Sequence, residues 1–246
     1  MNTIAAVVVF SVLLSQPLSL SAQVESSVSP KNWSPESGTL PDAVQASFDS
    51  ARRKSTFAIP RFKRLSYSYK NELMIPGTPK QQNPTQSRHD ISAQGELLSD
   101  TFTPMPNFEM KSTSIFGGLV RVAEPAEGRP CSGSFISKLQ VEIPPVLQVG
   151  SKIRMQYALT PNPGTECTPT RPIDEQCEAT SQIDAKTMYV TLTGRAIKLQ
   201  CWTSNRLNPG TTTYKVYLED LGLVMSSTEM EHRGQMMRTF TSFIVE

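Results

Sequence analysis

Beyond residue 60 the chain alternates apolar and polar residues with a period of two. Leu65, Tyr67 and Tyr69 alternate with Ser66, Ser68 and Lys70, and Ile153, Met155, Tyr157 and Leu159 alternate with Arg154, Gln156 and Ala158. The same spacing returns in Met188, Val190 and Leu192, in Ile197, Leu199 and Cys201, and in Tyr214, Val216 and Leu218. One-sided alternation is what an antiparallel strand with one wet face requires. Shorter β-like runs are predicted over 90–98, 108–123, 134–143, 221–225 and 238–245. Gly117-Gly118 interrupts the second of these and predicts a bulge or hairpin there. Loops are predicted over 76–88 and 160–182, and a polar turn over 226–236. Roughly nine to eleven strands follow, with no helix of crossover length between them, which excludes a parallel α/β fold. The predicted fold is all-β: a curled antiparallel sheet or sandwich over 60–246, preceded by a disordered N-terminal segment and one short helix.

The N-terminal quarter has a different pattern. Residues 4–14 are an apolar run interrupted only by Ser11, too short to span a bilayer as a mature helix and stopped by Pro17. With small residues at Ser19, Ser21 and Ala22, it reads as a signal peptide over 1–22. Residues 23–59 form a flexible segment, rich in Ser, Pro and Glu at its start. It contains one helix candidate over 41–53, where Pro41 suits the first helical position and Val44, Phe48 and Ala51 share a face. The expected product is a soluble periplasmic or secreted protein.

Composition narrows the partners. About 224 residues remain after the signal, enough for one substantial core. The formal net charge is only +2, so no global field selects nucleic acid. One stretch stands apart: Arg52, Arg53, Lys54, Arg61, Lys63 and Arg64 lie together without an acid, interleaved with Phe57, Ile59 and Phe62. It is either a contact for an anionic surface or a solvated helix end whose apolar residues rest on the β domain.

The four cysteines, Cys131, Cys167, Cys177 and Cys201, are expected to form structural disulfides in an oxidising compartment. The proline-stiffened segment between Cys167 and Cys177 favours its own closure, leaving Cys131 to pair with Cys201. The rival pairing is Cys177 with Cys201 and Cys131 with Cys167. No C-x-x-C or paired-His spacing supports a metal or redox site, and no cofactor or metal is expected.

Catalytic patterns are scarce. No G-x-S-x-G elbow, H-E-x-x-H, phosphate loop or dinucleotide fingerprint occurs. Only His89 and His232 are available as imidazole bases. The loop around Ser132 resembles a nucleophile loop only superficially, since a disulfide cysteine precedes the serine. Glu229, Glu231 and His232 read as a solvated turn, and Asp174, Glu175 and Glu178 as a solvated acidic loop.

Between residues 145 and 246 the order of motifs is distinctive. LQVGSKIRMQY (147–157) precedes a polar loop, then Thr193-Gly194, a strand ending at Cys201, and YKVYLEDLGLV (214–224). This resembles exported bacterial β-sheet proteins of unknown function. The resemblance implies a curled antiparallel sheet and export, and carries over no functional residue. The expected function is a noncatalytic cell-envelope protein that binds a lipid or other hydrophobic ligand, or an envelope partner protein. The alternatives are a secreted hydrolase with an unrecognised site and a structural subunit of an envelope assembly.

Overall fold

A computed structural model describes residues 40–74, 85–124, 134–161, 172–205, 208–231 and 234–246. The alternation resolves into one helix and twelve strands among the described residues. After α1 (Asp42–Arg52) come β1 (Arg64–Met74), β2 (Thr85–Gln94), β3 (Leu97–Met105), β4 (Phe108–Ile115), β5 (Val120–Glu124) and β6 (Ser134–Glu142). Then follow β7 (Lys152–Pro161), β8 (Ile173–Asp184), β9 (Arg195–Asn205), β10 (Asn208–Leu218), β11 (Leu223–Glu231) and β12 (Gly234–Val245). Every strand pairs antiparallel with its chain neighbours, and β12 returns to pair with β1, closing the sheet into a ring. The fold is all-β, a curled antiparallel sheet with one short helix, as the period-two pattern predicts. The proposed signal peptide and the start of the flexible segment lie outside the described residues.

The up-and-down order separates the connections into two groups. Those from each odd-numbered strand to the next leave one end of the sheet, and those from each even-numbered strand leave the other. The other end is sealed by residues 40–63. Ser55 Oγ donates to the Pro144 carbonyl at 2.7 Å, the Ala58 N–H donates to Tyr217 Oη at 3.3 Å, and the Arg61 N–H donates to the Leu221 carbonyl at 3.0 Å. Two glycines allow this close approach. Gly222 has φ +62°, and a Cβ there would lie 1.7 Å from the Ile59 carbonyl oxygen. Gly117 has φ +63°, and a Cβ there would lie 2.2 Å from the Gly222 oxygen.

The ring is not a hollow cylinder, because part of it buries both faces. One apolar cluster joins Ile153 and Met155 of β7, Ala179 of β8, Leu199 of β9, Tyr217 of β10 and Val224 of β11. Val44 and Phe48 of α1 and Phe57 fill the same cluster, so residues 40–59, expected in the flexible segment, belong to the packed core. The opposite face of β9–β11 carries Ala196, Val216, Leu218, Leu223 and Met225, which pack on Leu65, Tyr67 and Tyr69 of β1 and Phe243 of β12. The outward positions of β7 carry the exposed Lys152, Arg154 and Gln156.

Several local expectations are corrected. Residues 188–192 are not a strand: a 3-10 turn (Ala185–Thr187) opens a loop, and Val190 is 77 % exposed. The turn starts there because Asp184 Oδ1 accepts the Lys186 N–H at 2.9 Å. The loop expected over 160–182 contains β8, and the turn expected over 226–236 lies within the β11–β12 pair. The run expected over 90–98 is a hairpin that turns at Gly95, where φ is +60°. The expected Cys167–Cys177 and Cys131–Cys201 bonds are replaced by Cys177–Cys201. The β8–β9 register sets these two residues directly opposite, with Cα atoms 4.0 Å apart. Cys131 and Cys167 lie outside the described residues.

Candidate functional site

The basic run separates into two groups. Arg53, Lys54, Arg61, Lys63 and Arg64 are exposed, while Phe57 and Phe62 are buried beneath them. Arg52 turns inward to form an ion pair with Glu96, and its side chain is only 10 % exposed. Its guanidinium also donates to the Phe57 and Ala58 carbonyls and lies 4.6 Å from the Phe116 ring centroid. Burial lowers the Arg52 pKa and raises that of the Glu96 carboxyl, although each partner pulls the other back toward its charged form.

The acidic group over 174–178 is not a solvated loop. β8 alternation turns Glu175 inward, where it accepts from Lys215 Nζ at 2.6 Å. Glu175 also lies within 4.8 Å of both Cys177 and Cys201, the only set of metal-ligand type among the described residues. The cysteine sulfurs are consumed in the disulfide and the carboxylate is neutralised by Lys215. Ser132 and His232 lie outside the described residues, and Glu229 and Glu231 lie on β11.

His89 is the centre of a polar cluster. Alternation on β2 turns it toward the same face as Tyr67 and Tyr69 of β1, and the β2–β3 hairpin brings Asp100 and Phe102 beside it. His89 Nδ1 lies 2.7 Å from Asp100 Oδ2, and Nε2 lies 3.2 Å from Tyr69 Oη. The imidazole is stacked between Tyr67 at 4.7 Å and Phe102 at 4.5 Å. Burial, reinforced by Asp100 and Tyr69, raises the Tyr67 pKa well above its ordinary value, so its hydroxyl stays protonated. Arg238 of β12 lies over the Tyr69 ring at 5.0 Å and donates from Nε to Asn71 Oδ1 at 3.4 Å.

These groups border a cavity of about 220 Å³, whose wall also includes Arg121, Ser112, Ser114 and Ser226. Arg238 also lines a second, more open groove of about 540 Å³. That groove carries Ile183, Met188, Val216 and Phe240 as apolar wall, with Lys198 and several threonines, and no carboxylate lines it. Arg238 therefore borders both a small polar chamber and a larger amphipathic one.

Sequence reasoning singled out His89 but missed its partners. Asp100 becomes visible only once Gly95 is read as a turn, which folds β3 back onto β2. Arg238 comes from the far end of the chain and reaches the cluster only because β12 closes on β1.

No family model, no curated protein and no solved structure matches this chain. The Cys177–Cys201 bond fits an oxidising, non-cytoplasmic location.

Proposed function

We propose that this chain is a noncatalytic binding protein of the cell envelope, periplasmic or secreted, that holds a hydrophobic ligand with a polar end in the groove between β8 and β12. The observation that carries this reading is the groove itself. Its volume of about 540 Å³ falls within the usual range for small-molecule sites, and its wall combines Ile183, Met188, Val216 and Phe240 with polar side chains. The apolar lining of the groove belongs to the second cluster, where Ile183, Met188 and Phe240 are only partly buried, and this supports a ligand on that side. His89 supports binding over catalysis: both ring nitrogens are engaged and aromatic rings cover both faces. The exposed cations Arg53, Lys54, Arg61, Lys63 and Arg64 add peripheral contact with an anionic surface to the same reading.

Native mass spectrometry of protein purified without detergent tests the proposal. A copurified amphipathic molecule, lost in a Met188→Asp variant at a half-buried loop position of the groove wall, is the expected result. Ligand-free protein that takes up no medium-chain amphipath overturns it.

A hydrolase is the second reading, favoured by the Asp100–His89 pair in a cavity that Ser112 and Ser114 also line. Fluorophosphonate labelling abolished by Ser112→Ala or Ser114→Ala would support it. Unlabelled native protein would rule out a serine nucleophile.

A further inference from the structure

Arg238 lines both the small chamber and the open groove, and this shared wall points to the polar end of the ligand. Arg121 reaches the chamber from β5 and Arg238 from β12, with the hydroxyl-bearing Ser112, Ser114, Ser226 and Tyr69. The one carboxylate in the wall, Asp100, is held by His89 Nδ1 at 2.7 Å. Two guanidiniums and a set of hydroxyl donors around about 220 Å³ suit a compact oxyanion.

We propose that the chamber is an oxyanion subsite, that it receives the anionic head of the amphipath whose apolar part lies in the groove, and that the head binds together with a proton on His89. The inference rests on the binding reading above and deepens it, because it names the ligand as an anionic amphipath.

The proton follows from hydrogen-bond bookkeeping. Asp100 accepts from Nδ1–H in both protonation states. In neutral His89 the Nε2 lone pair accepts the Tyr69 hydroxyl proton, so the Tyr69 oxygen turns lone pairs toward the chamber. Protonated Nε2–H instead donates to the Tyr69 oxygen, and the Tyr69 hydroxyl can then donate to the ligand. An oxyanion favours the second arrangement and the added positive charge. Binding therefore takes up a proton from solvent at Nε2, and no covalent bond changes. The groups that face His89 are Asp100 and Phe102 from β3 and Tyr67 and Tyr69 from β1. The other charged groups of the wall are Arg121 and Arg238. Arg88 and Asp90, its neighbours on β2, pair with each other at 2.7 Å.

Three non-titrating probes separate the parts: sulfate alone, octyl sulfonate and octanol. Calorimetry between about pH 5 and pH 8, in buffers of different ionisation enthalpy, reads affinity and proton uptake together. Octyl sulfonate is expected to bind more tightly than either other probe. Its affinity should fall as pH rises across this range. His89→Gln and Tyr69→Phe should flatten that profile. Arg121→Gln, at an exposed side chain, should weaken sulfate and octyl sulfonate and leave octanol unchanged. If octanol matches octyl sulfonate with no pH dependence, the oxyanion subsite is overturned while the groove reading stands. If sulfate binds with the expected pH dependence and the octyl chain adds nothing, the subsite stands and the groove reading fails. If the affinity for octyl sulfonate is pH-independent, or unchanged in Tyr69→Phe, the role of His89 is overturned.

Discussion

Glu96 and Arg52 show how one pair ties the N-terminal segment to the sheet. Glu96 lies at the β2–β3 turn, and Arg52 ends α1, so the ion pair joins elements distant in sequence. Removing one member of such a partly buried pair leaves the other charge without compensation. Arg52→Ala also loses the contacts to the Phe57 and Ala58 carbonyls and to the Phe48 and Phe116 rings. The expected destabilisation is about 3 kcal/mol, read from the denaturant midpoint. The pH dependence has a definite sign. Burial raises the Glu96 carboxyl above its ordinary 4.5, so in that window the folded state keeps a proton that the unfolded chain has released. Ionising Glu96 therefore lowers stability as pH rises from 4.5 upward, and Glu96→Gln should flatten that limb of the stability profile. An unchanged slope in the variant would assign the pH dependence to other groups. At this scale the sequence was misleading: Arg52 reads as one cation among six, and nothing near it announces an acidic partner across the fold.

At the scale of elements, β8 was the strand hardest to see and the one with the most consequence. Its inward positions are Ile173, Glu175, Cys177 and Ala179, so one inward residue is an acid and the alternation is masked. Lys215 resolves the anomaly by reaching Glu175 from β10. Lys215→Met should cost about 3–5 kcal/mol, because a buried carboxylate is left alone, and Lys215→Met with Glu175→Leu should recover most of it. Equal stability for the single and double variants would show that the pair is not coupled. The disulfide closes a sequence separation of 24 residues between β8 and β9. By chain entropy, replacing both cysteines with alanine should lower stability by about 3 kcal/mol. A peptide map that recovers a Cys167–Cys177 link would contradict this assignment outright. The opposite error occurred over 188–192, where three alternating apolar residues read as a strand. Periodicity alone does not distinguish a strand from a loop whose Leu192 happens to be buried, and the Asp184 side chain that starts the turn decides the matter. Gly222 is the clearest test of how the sealed end is built. Gly222→Ala puts a methyl group into the Ile59 carbonyl at a left-handed backbone position, and should cost on the order of 3 kcal/mol.

For the whole molecule, the period-two pattern was enough to predict a curled antiparallel sheet, because alternation reports one buried face per strand. It did not predict closure, since the β1–β12 pairing joins the two ends of the sheet and leaves no local mark. Nor did it show that β9–β11 bury both faces, which makes these strands the shared wall of two cores. That arrangement implies an uneven distribution of stability. Among the described residues β5 and β6 meet through Ala123↔Phe135 and Glu124↔Ser134, whereas β8 and β9 are paired from Asp174↔Ser204 to Asp184↔Arg195 and linked by the disulfide. The ring should therefore open first at β5–β6, by a local fluctuation that leaves the shared wall intact. Hydrogen exchange followed by mass spectrometry should show β5 amides exchanging at least about tenfold faster than those of β8–β10. The groove lies on the protected side, walled by β8 to β12, so an amphipathic ligand should slow exchange there and leave the β5–β6 seam unchanged. Equal exchange at seam and wall would mean that the ring opens only as one cooperative unit, and protection confined to β5 and β6 would place the ligand on the wrong side of the molecule.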